Sequence, residues 1–188
     1  DIMEASNFYA QITRLEKAGL LYLVLSKFVD EIDLGPEAVP NDVMGYIFEE
    51  LIRRFSEISN ETAGEHFTPR EVIWLMVSLI FNADGEALSE TGKMTSLYDP
   101  AAGTGGMLAI GSDYLRAHNS TIYVDCYGQE LNPMTYAVCK SDMLTKGQQY
   151  DRIFLGNSFT HDYTAGKTFS YMFCNPPFGV EWKKYEKE

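Results

Sequence analysis

The stretch Asp99-Pro100-Ala101-Ala102-Gly103-Thr104-Gly105-Gly106 decides the fold. It follows the β-prone pair Leu97-Tyr98 and runs directly into Met107-Leu108, where a helical pattern begins. Small residues in such a loop let the backbone turn sharply and come close to a ligand. A phosphate-cradling P-loop would place Lys-Ser or Lys-Thr after the last glycine, and Met107-Leu108 stand there instead. The dinucleotide spacing G-x-G-x-x-G is also absent. The loop therefore reads as one that holds a ligand without phosphates, with a tight structural turn as the alternative if it is taken alone.

Outward from this loop, short apolar or β-branched runs alternate with helical ones. They are Leu97-Tyr98, a helix from about residue 106, Ile122 to Tyr127, a helix opened by Asn132-Pro133, Ile153 to Leu155, and Tyr171 to Cys174. A β-α-β-α-β series implies a parallel sheet covered by helices. Upstream, Thr68-Pro69-Arg70-Glu71 reads as a helix start, with Thr68 as N-cap, Pro69 at the first helical position and Glu71 at the capping-box position. That helix carries Val72, Ile73, Leu75, Met76, Leu79 and Ile80. Further back, Ile12, Leu15, Leu20, Leu23, Val24, Phe28 and Val29 recur at helical spacing between Phe8 and Ile32 until Gly35-Pro36 breaks the pattern. A second helix after Pro40-Asn41-Asp42 would present Met44, Ile47, Phe48, Leu51, Ile52 and Phe55 on one face. The expected organisation is an N-terminal helical region over residues 1–60, a small polar linker at Ser59 to Gly64, and an α/β domain over residues 61–188. Internal repeats and low-complexity segments are absent from the sequence.

In open parallel sheets, ligands bind beyond the carboxyl ends of the strands. After the second strand stands Gly128-Gln129-Glu130, about 25 residues past the glycine loop, where Rossmann-type folds set an acid against ribose hydroxyls. After the fourth stands Asn175-Pro176-Pro177-Phe178, the most specific signal in the chain. Two prolines stiffen the backbone and remove its N–H donors, so that carbonyls and the Asn175 amide oxygen can form an acceptor pair. An exocyclic amino group such as adenine N6 offers two hydrogens to that pair. Its lone pair is delocalised into the ring, and acceptors that draw it toward tetrahedral geometry make it a better nucleophile toward a methyl sulfonium without a strong base. Phe178 offers a flat face on which an extruded base can stack.

Composition narrows the classes further. A chain of 188 residues that is 45% hydrophobic can bury the core of one ordinary domain. It opens on Asp1 and closes in a charged run at Lys183, Lys184, Glu186, Lys187 and Glu188, and reads as a piece of a longer protein. No run approaches the roughly 18 apolar residues of a membrane span, and no signal-peptide pattern opens the chain, so a soluble, cytoplasmic protein is expected. Cys126, Cys139 and Cys174 are odd in number and widely spaced, which suggests reduced, buried thiols rather than a disulfide framework or a zinc site. His66 has no Cys or His partner at ligand spacing, so no metal site is expected. A net charge of −12 argues against a protein that grips the phosphate backbone by itself.

The order Gly64-Glu65-His66-Phe67-Thr68-Pro69-Arg70, then Asp99 to Gly106, then Glu130, then Asn175 to Phe178 resembles amino-methyltransferases of the γ arrangement, in which the cofactor motif called X precedes the glycine loop. The longer strings Met44 to Ile52, Gly64 to Val72, Asp99 to Met107 and Asn175 to Trp182 resemble the modification subunits of type I restriction-modification systems, adenine-N6 DNA methyltransferases. The resemblance implies a Rossmann-like, S-adenosylmethionine-dependent methyltransferase fold, incomplete at its C-terminus because such sheets have more strands than this chain supplies. It further implies that Glu65, His66, Phe67, Thr68, Pro69 and Arg70 meet the methionine portion of the cofactor at a helix N-terminus. Asp99, Gly103, Thr104, Gly105 and Gly106 would wrap its amino-acid and sugar portion, and Glu130 would take the ribose hydroxyls. Asn157, in Gly156-Asn157-Ser158, matches the position that contacts the cofactor adenine, where an Asp is common. Asn175, Pro176, Pro177 and Phe178 would carry methyl transfer. The implied partners are DNA, a separate specificity subunit that reads it, and a restriction subunit, with the helical segment up to about residue 60 as a contact surface or a packing element. Methylation of an RNA adenine or a protein glutamine, and a non-catalytic module that binds S-adenosylmethionine, are the competing expectations.

Overall fold

The computed structural model describes residues 4, 7–40, 43–44, 47, 50–51 and 68–177. The expected linker at 59–64, Glu65, His66, Phe67, Phe178 and the rest of the C-terminal run lie outside the described residues, as does most of the second expected helix.

At the N-terminal side, α1 (Phe8–Lys17) and α2 (Leu21–Glu31) replace the single helical run expected between Phe8 and Ile32. Gly19 is the cause. It adopts φ +68°, and the Leu20 N–H returns to the Leu15 carbonyl at 2.9 Å, closing the first helix with a left-handed cap. Neither helix has a buried residue, and Tyr22 (82%) and Val29 (80%) are largely exposed.

The α/β unit follows, with α3 (Arg70–Ala83), α4 (Gly85–Ser89), β1 (Met94–Asp99), α5 (Gly106–His118), β2 (Tyr123–Glu130), α6 (Pro133–Thr145), β3 (Ile153–Leu155) and β4 (Tyr171–Met172). The described strands form one parallel sheet in the order β3-β2-β1-β4. This is the expected α/β architecture, with three refinements. Glu130 is the last residue of β2 rather than a residue beyond it, β4 is shorter than Tyr171 to Cys174, and α4 was not anticipated.

Alternation along the strands decides which face is buried. Thr95, Leu97 and Asp99 of β1 and Val124, Cys126 and Gly128 of β2 are buried, whereas Ser96, Tyr98, Asp125 and Tyr127 are half-buried. The core gathers Leu97, Val124, Cys126, Ile153 and Phe173 with Leu108 and Leu115 of α5 and Met143 of α6. It also takes Ile73, Val77 and Phe81 from α3. These three, one turn apart, are the face of α3 that packs, while Val72, Leu75 and Leu79 from the expected apolar set remain exposed. Phe81 meets Phe173 and Tyr171 edge-on at 5.8 and 4.9 Å, so α3 is anchored to the end of β4 by aromatic contact. Burial of each such side chain is worth about 1.5–3 kcal/mol, enough to fix α3 against the sheet.

Two of the three cysteines, Cys126 and Cys139, are buried as expected, and all three are free. Cys174 departs from the expectation: it is half-buried, beyond the end of β4.

Candidate functional site

The site forms where β1, β2, β3 and β4 end. Asp99 closes β1 with its side chain 2% exposed, and its Oδ1 accepts the Ala101 N–H at 3.0 Å. Burial raises its carboxyl from 3.8 to about 7; the Ala101 bond works against the rise and the charge of Glu130 adds to it. The loop is then pinned to β2 by the Ala102 N–H, which donates to the Gln129 carbonyl at 2.9 Å. Gly103 and Gly105 take left-handed φ values of +56° and +83°, which glycine alone adopts without strain. At Gly105 a side chain is excluded twice over, since a Cβ there would lie 2.6 Å from Cys139 Sγ on α6. Gly106 then opens α5.

Glu130 works as a clamp. Its Oε2 accepts the Gly103 N–H at 2.8 Å and its Oε1 accepts the Asn132 N–H at 2.7 Å, so one carboxylate ties the glycine loop to the turn that leads into α6. The α6 start matches expectation: Asn132 Oδ1 accepts from the N–H groups of Met134 (2.9 Å) and Thr135 (3.2 Å), with Pro133 in the first turn.

Beyond β3, Asn157 Oδ1 accepts the Phe159 N–H at 2.9 Å, and Ser158 Oγ donates to the Pro100 carbonyl at 2.5 Å. The third strand's loop thereby lies against the glycine loop. Gln129, which sequence reasoning passed over, holds the segment beyond it. Fully buried, it donates from Nε2 to the His161 carbonyl at 2.6 Å and accepts the Tyr163 N–H at 3.3 Å. An uncharged polar residue between Gly128 and Glu130 at a strand end was the available signal.

Beyond β4, the Phe173 N–H donates to the Tyr98 carbonyl at 2.9 Å, which extends the pairing toward Cys174 and Asn175. The Cys174 thiol is pushed up to about 11, by burial first and by the charge of Asp99 second, so the ends of β1 and β4 share one electrostatic environment. Asn175 is half-buried and donates from Nδ2 to Thr68 Oγ1 at 2.8 Å; Pro176 and Pro177 are exposed.

This bond corrects the capping expectation. Helix α3 begins at Arg70 with Pro69 at the cap position and no side-chain cap, and the first donors, the N–H groups of Val72 and Ile73, return to the Pro69 carbonyl at 3.0 and 3.1 Å. Pro69 has a helical φ of −56° but an extended ψ of 140°, so the helix begins at Arg70, one residue later than expected, and the Thr68 hydroxyl serves Asn175.

The described candidate residues thus fall into two linked groups at one sheet edge. Asp99, Gly103, Thr104, Gly105, Gly106 and Glu130 make the first, with Asn157 alongside through Ser158. Thr68, Pro69 and Arg70 at the start of α3 and Asn175, Pro176 and Pro177 after β4 make the second, joined through Thr68 and Asn175. A parallel sheet whose strand ends carry a buried acid, a second acid and glycine turns is a Rossmann-like α/β fold.

Comparison with known proteins agrees. Residues 39–188 match the N-6 DNA methylase family, and the chain belongs to that family. It is 32% identical over 176 residues to the type I restriction enzyme MjaIX methylase subunit of Methanocaldococcus jannaschii, covering 93% of this chain and 29% of that protein. It is 30% identical over 179 residues to the EcoEI methylase subunit of Escherichia coli, covering 88% of this chain and 33% of that protein. The chain therefore spans about a third of the length of these curated relatives. Among solved structures, the methyltransferase subunit of a type I restriction-modification system from Streptococcus thermophilus matches with a TM-score of 0.58 and 29% identity over 76% of this chain and 29% of that one. A class I S-adenosylmethionine-dependent methyltransferase fold from Listeria monocytogenes matches with a TM-score of 0.62 at 14% identity, covering 90% of this chain and 48% of that one.

Proposed function

We propose that the full-length protein is an S-adenosylmethionine-dependent DNA adenine-N6 methyltransferase that acts as the modification subunit of a type I restriction-modification complex. The observation that carries this reading is the placement of Asn175-Pro176-Pro177 beyond β4, beside the Asp99 to Gly106 loop, with the Asn175 amide nitrogen already engaged by Thr68. That engagement leaves the amide oxygen to face an amino group.

The donor set fits S-adenosylmethionine. Asp99, buried and raised to about 7, is an acid that a cationic ammonium would stabilise in its charged form. Glu130 keeps lone pairs for ribose hydroxyls beyond the two N–H groups it holds. The turn at Gly103 and Gly105 lets backbone approach a ligand, and Asn157 offers an amide near a cofactor base while its oxygen serves Phe159. Glu65, His66 and Phe67 would meet the methionine portion of the cofactor in this reading. When bound, the cofactor supplies an electrophilic methyl group on a sulfonium.

The chain's own part is to present the amine. Asn175 Oδ1 and the Pro176 carbonyl accept the two N6 hydrogens, which localises the nitrogen lone pair for in-line attack, and Phe178 stacks the extruded adenine. The amine, cationic after attack, then loses its proton to solvent water. The net charge of −12 supports DNA being held by another polypeptide, a specificity subunit, with a restriction subunit in the same complex. Residues 1–60 then form a helical contact region and 61–188 the cofactor-binding domain, and a complex acting on chromosomal DNA works in the cytoplasm. Among the described residues no helix is long and apolar enough to cross a membrane.

The test is product analysis. The assembled complex, incubated with cofactor and unmethylated DNA, should yield N6-methyladenine in digested nucleosides. Methyl groups recovered only in RNA or on protein glutamine would overturn the reading.

A further inference from the structure

We propose that Thr68, assigned from the sequence to the cofactor, is a positioning residue for methyl transfer: its hydroxyl, bonded to the carboxamide nitrogen, holds the Asn175 side chain in place to meet the target amine. This rests on the reading of Asn175 as the acceptor of that amine.

A carboxamide is nearly symmetric in shape and opposite in chemistry at its two ends. Turned one way, Asn175 offers an oxygen to the two amine hydrogens; turned the other way, it offers two hydrogens to two hydrogens, and no productive contact forms. The side chain sits at a backbone stiffened by Pro176 and Pro177, and its nitrogen end is the one held. The contact present is Nδ2 to Thr68 Oγ1 at 2.8 Å, from a residue 107 positions away in sequence. Thr68 is itself held, because α3 is anchored through Ile73, Val77 and Phe81, and Phe81 packs on Phe173 two residues before Asn175. The start of α3 and the end of β4 are thus tied to one core, and the Thr68 hydroxyl meets the carboxamide there.

A cofactor ligand and a positioning residue make different demands on kinetics. In the full-length protein within its complex, Thr68→Val keeps the shape and removes the acceptor. The expected result is a loss in kcat of roughly 3- to 10-fold, the size of one neutral hydrogen bond, with the cofactor dissociation constant by equilibrium binding unchanged within about twofold. Thr68→Ser, which restores the hydroxyl, should recover the rate, and Thr68→Val should cost nothing further in an Asn175→Ala background. A raised dissociation constant with kcat intact, or effects that add in the double variant, would overturn the proposal while leaving Asn175 in place. Transfer at the normal rate by Asn175→Ala would instead sink the reading on which it rests, and the proposal with it.

Discussion

Replacing Glu130 with Ala should destabilise the protein even with no cofactor present. The carboxylate bonds two backbone N–H groups, Gly103 at 2.8 Å and Asn132 at 2.7 Å, and hydrogen bonds to a charged group are worth about 1.5–3 kcal/mol each. Glu130 is half-buried, so water can reach the orphaned donors and the low end applies, about 3 kcal/mol for the pair. Removing the charge also relieves the repulsion with Asp99, which offsets part of the loss. The net expectation is about 2–3 kcal/mol, or a fall in melting temperature of roughly 4–12 °C for a chain of this size. Glu130→Gln, with one carbonyl oxygen left to bond, should fall between. The assay is thermal unfolding of the cofactor-free protein followed by circular dichroism. An Ala variant that melts within about 1 °C of the parent would show that Glu130 does not hold the loop, and the clamp would have to be abandoned.

Other substitutions probe the same edge. Asp99 binds a proton in the folded state from the unfolded value of 3.8 up to about 7, so its contribution to stability falls as pH rises through that window. Asp99→Asn should therefore gain on the parent between pH about 4 and pH about 8, with a ceiling on the order of 4 kcal/mol; urea midpoints showing a gap constant with pH would contradict the raised carboxyl. Gly103→Ala should cost about 1 kcal/mol of backbone strain, since a Cβ there meets nothing within 4 Å. Gly105→Ala should cost about 3 kcal/mol or more, because Cys139 must also move, and equal urea midpoints for the two variants would refute that packing.

The parallel sheet and its helices were legible because each strand is a short apolar run bounded by turn residues, and because Asn132-Pro133 announces its helix directly. The glycine loop, Glu130 and the Asn175 turn were legible as positions along a sheet edge. Their mutual contacts were not, since the Gly103–Glu130 bond joins residues 27 apart and the Thr68–Asn175 bond residues 107 apart. The hydroxyl that reads locally as a cap was claimed by a distant amide, which is a tertiary choice that no local pattern encodes. The packed face of α3 was hidden for a similar reason: the helix is apolar nearly all round, and only contact with Phe173 and Tyr171 selects Ile73, Val77 and Phe81. Gln129 escaped notice because its worth lies in the loop it satisfies, not in a motif.

The most direct test of the central claim is single-turnover methyl transfer to DNA adenine by the full-length complex carrying Asn175→Ala, measured beside its affinity for S-adenosylmethionine. The expected result is cofactor binding within about twofold of the parent and transfer slowed by about 100-fold or more, the cost of removing one acceptor that acts in the transition state. Transfer at an undiminished rate would contradict the assignment of Asn175 and, with it, the chemistry derived for this site.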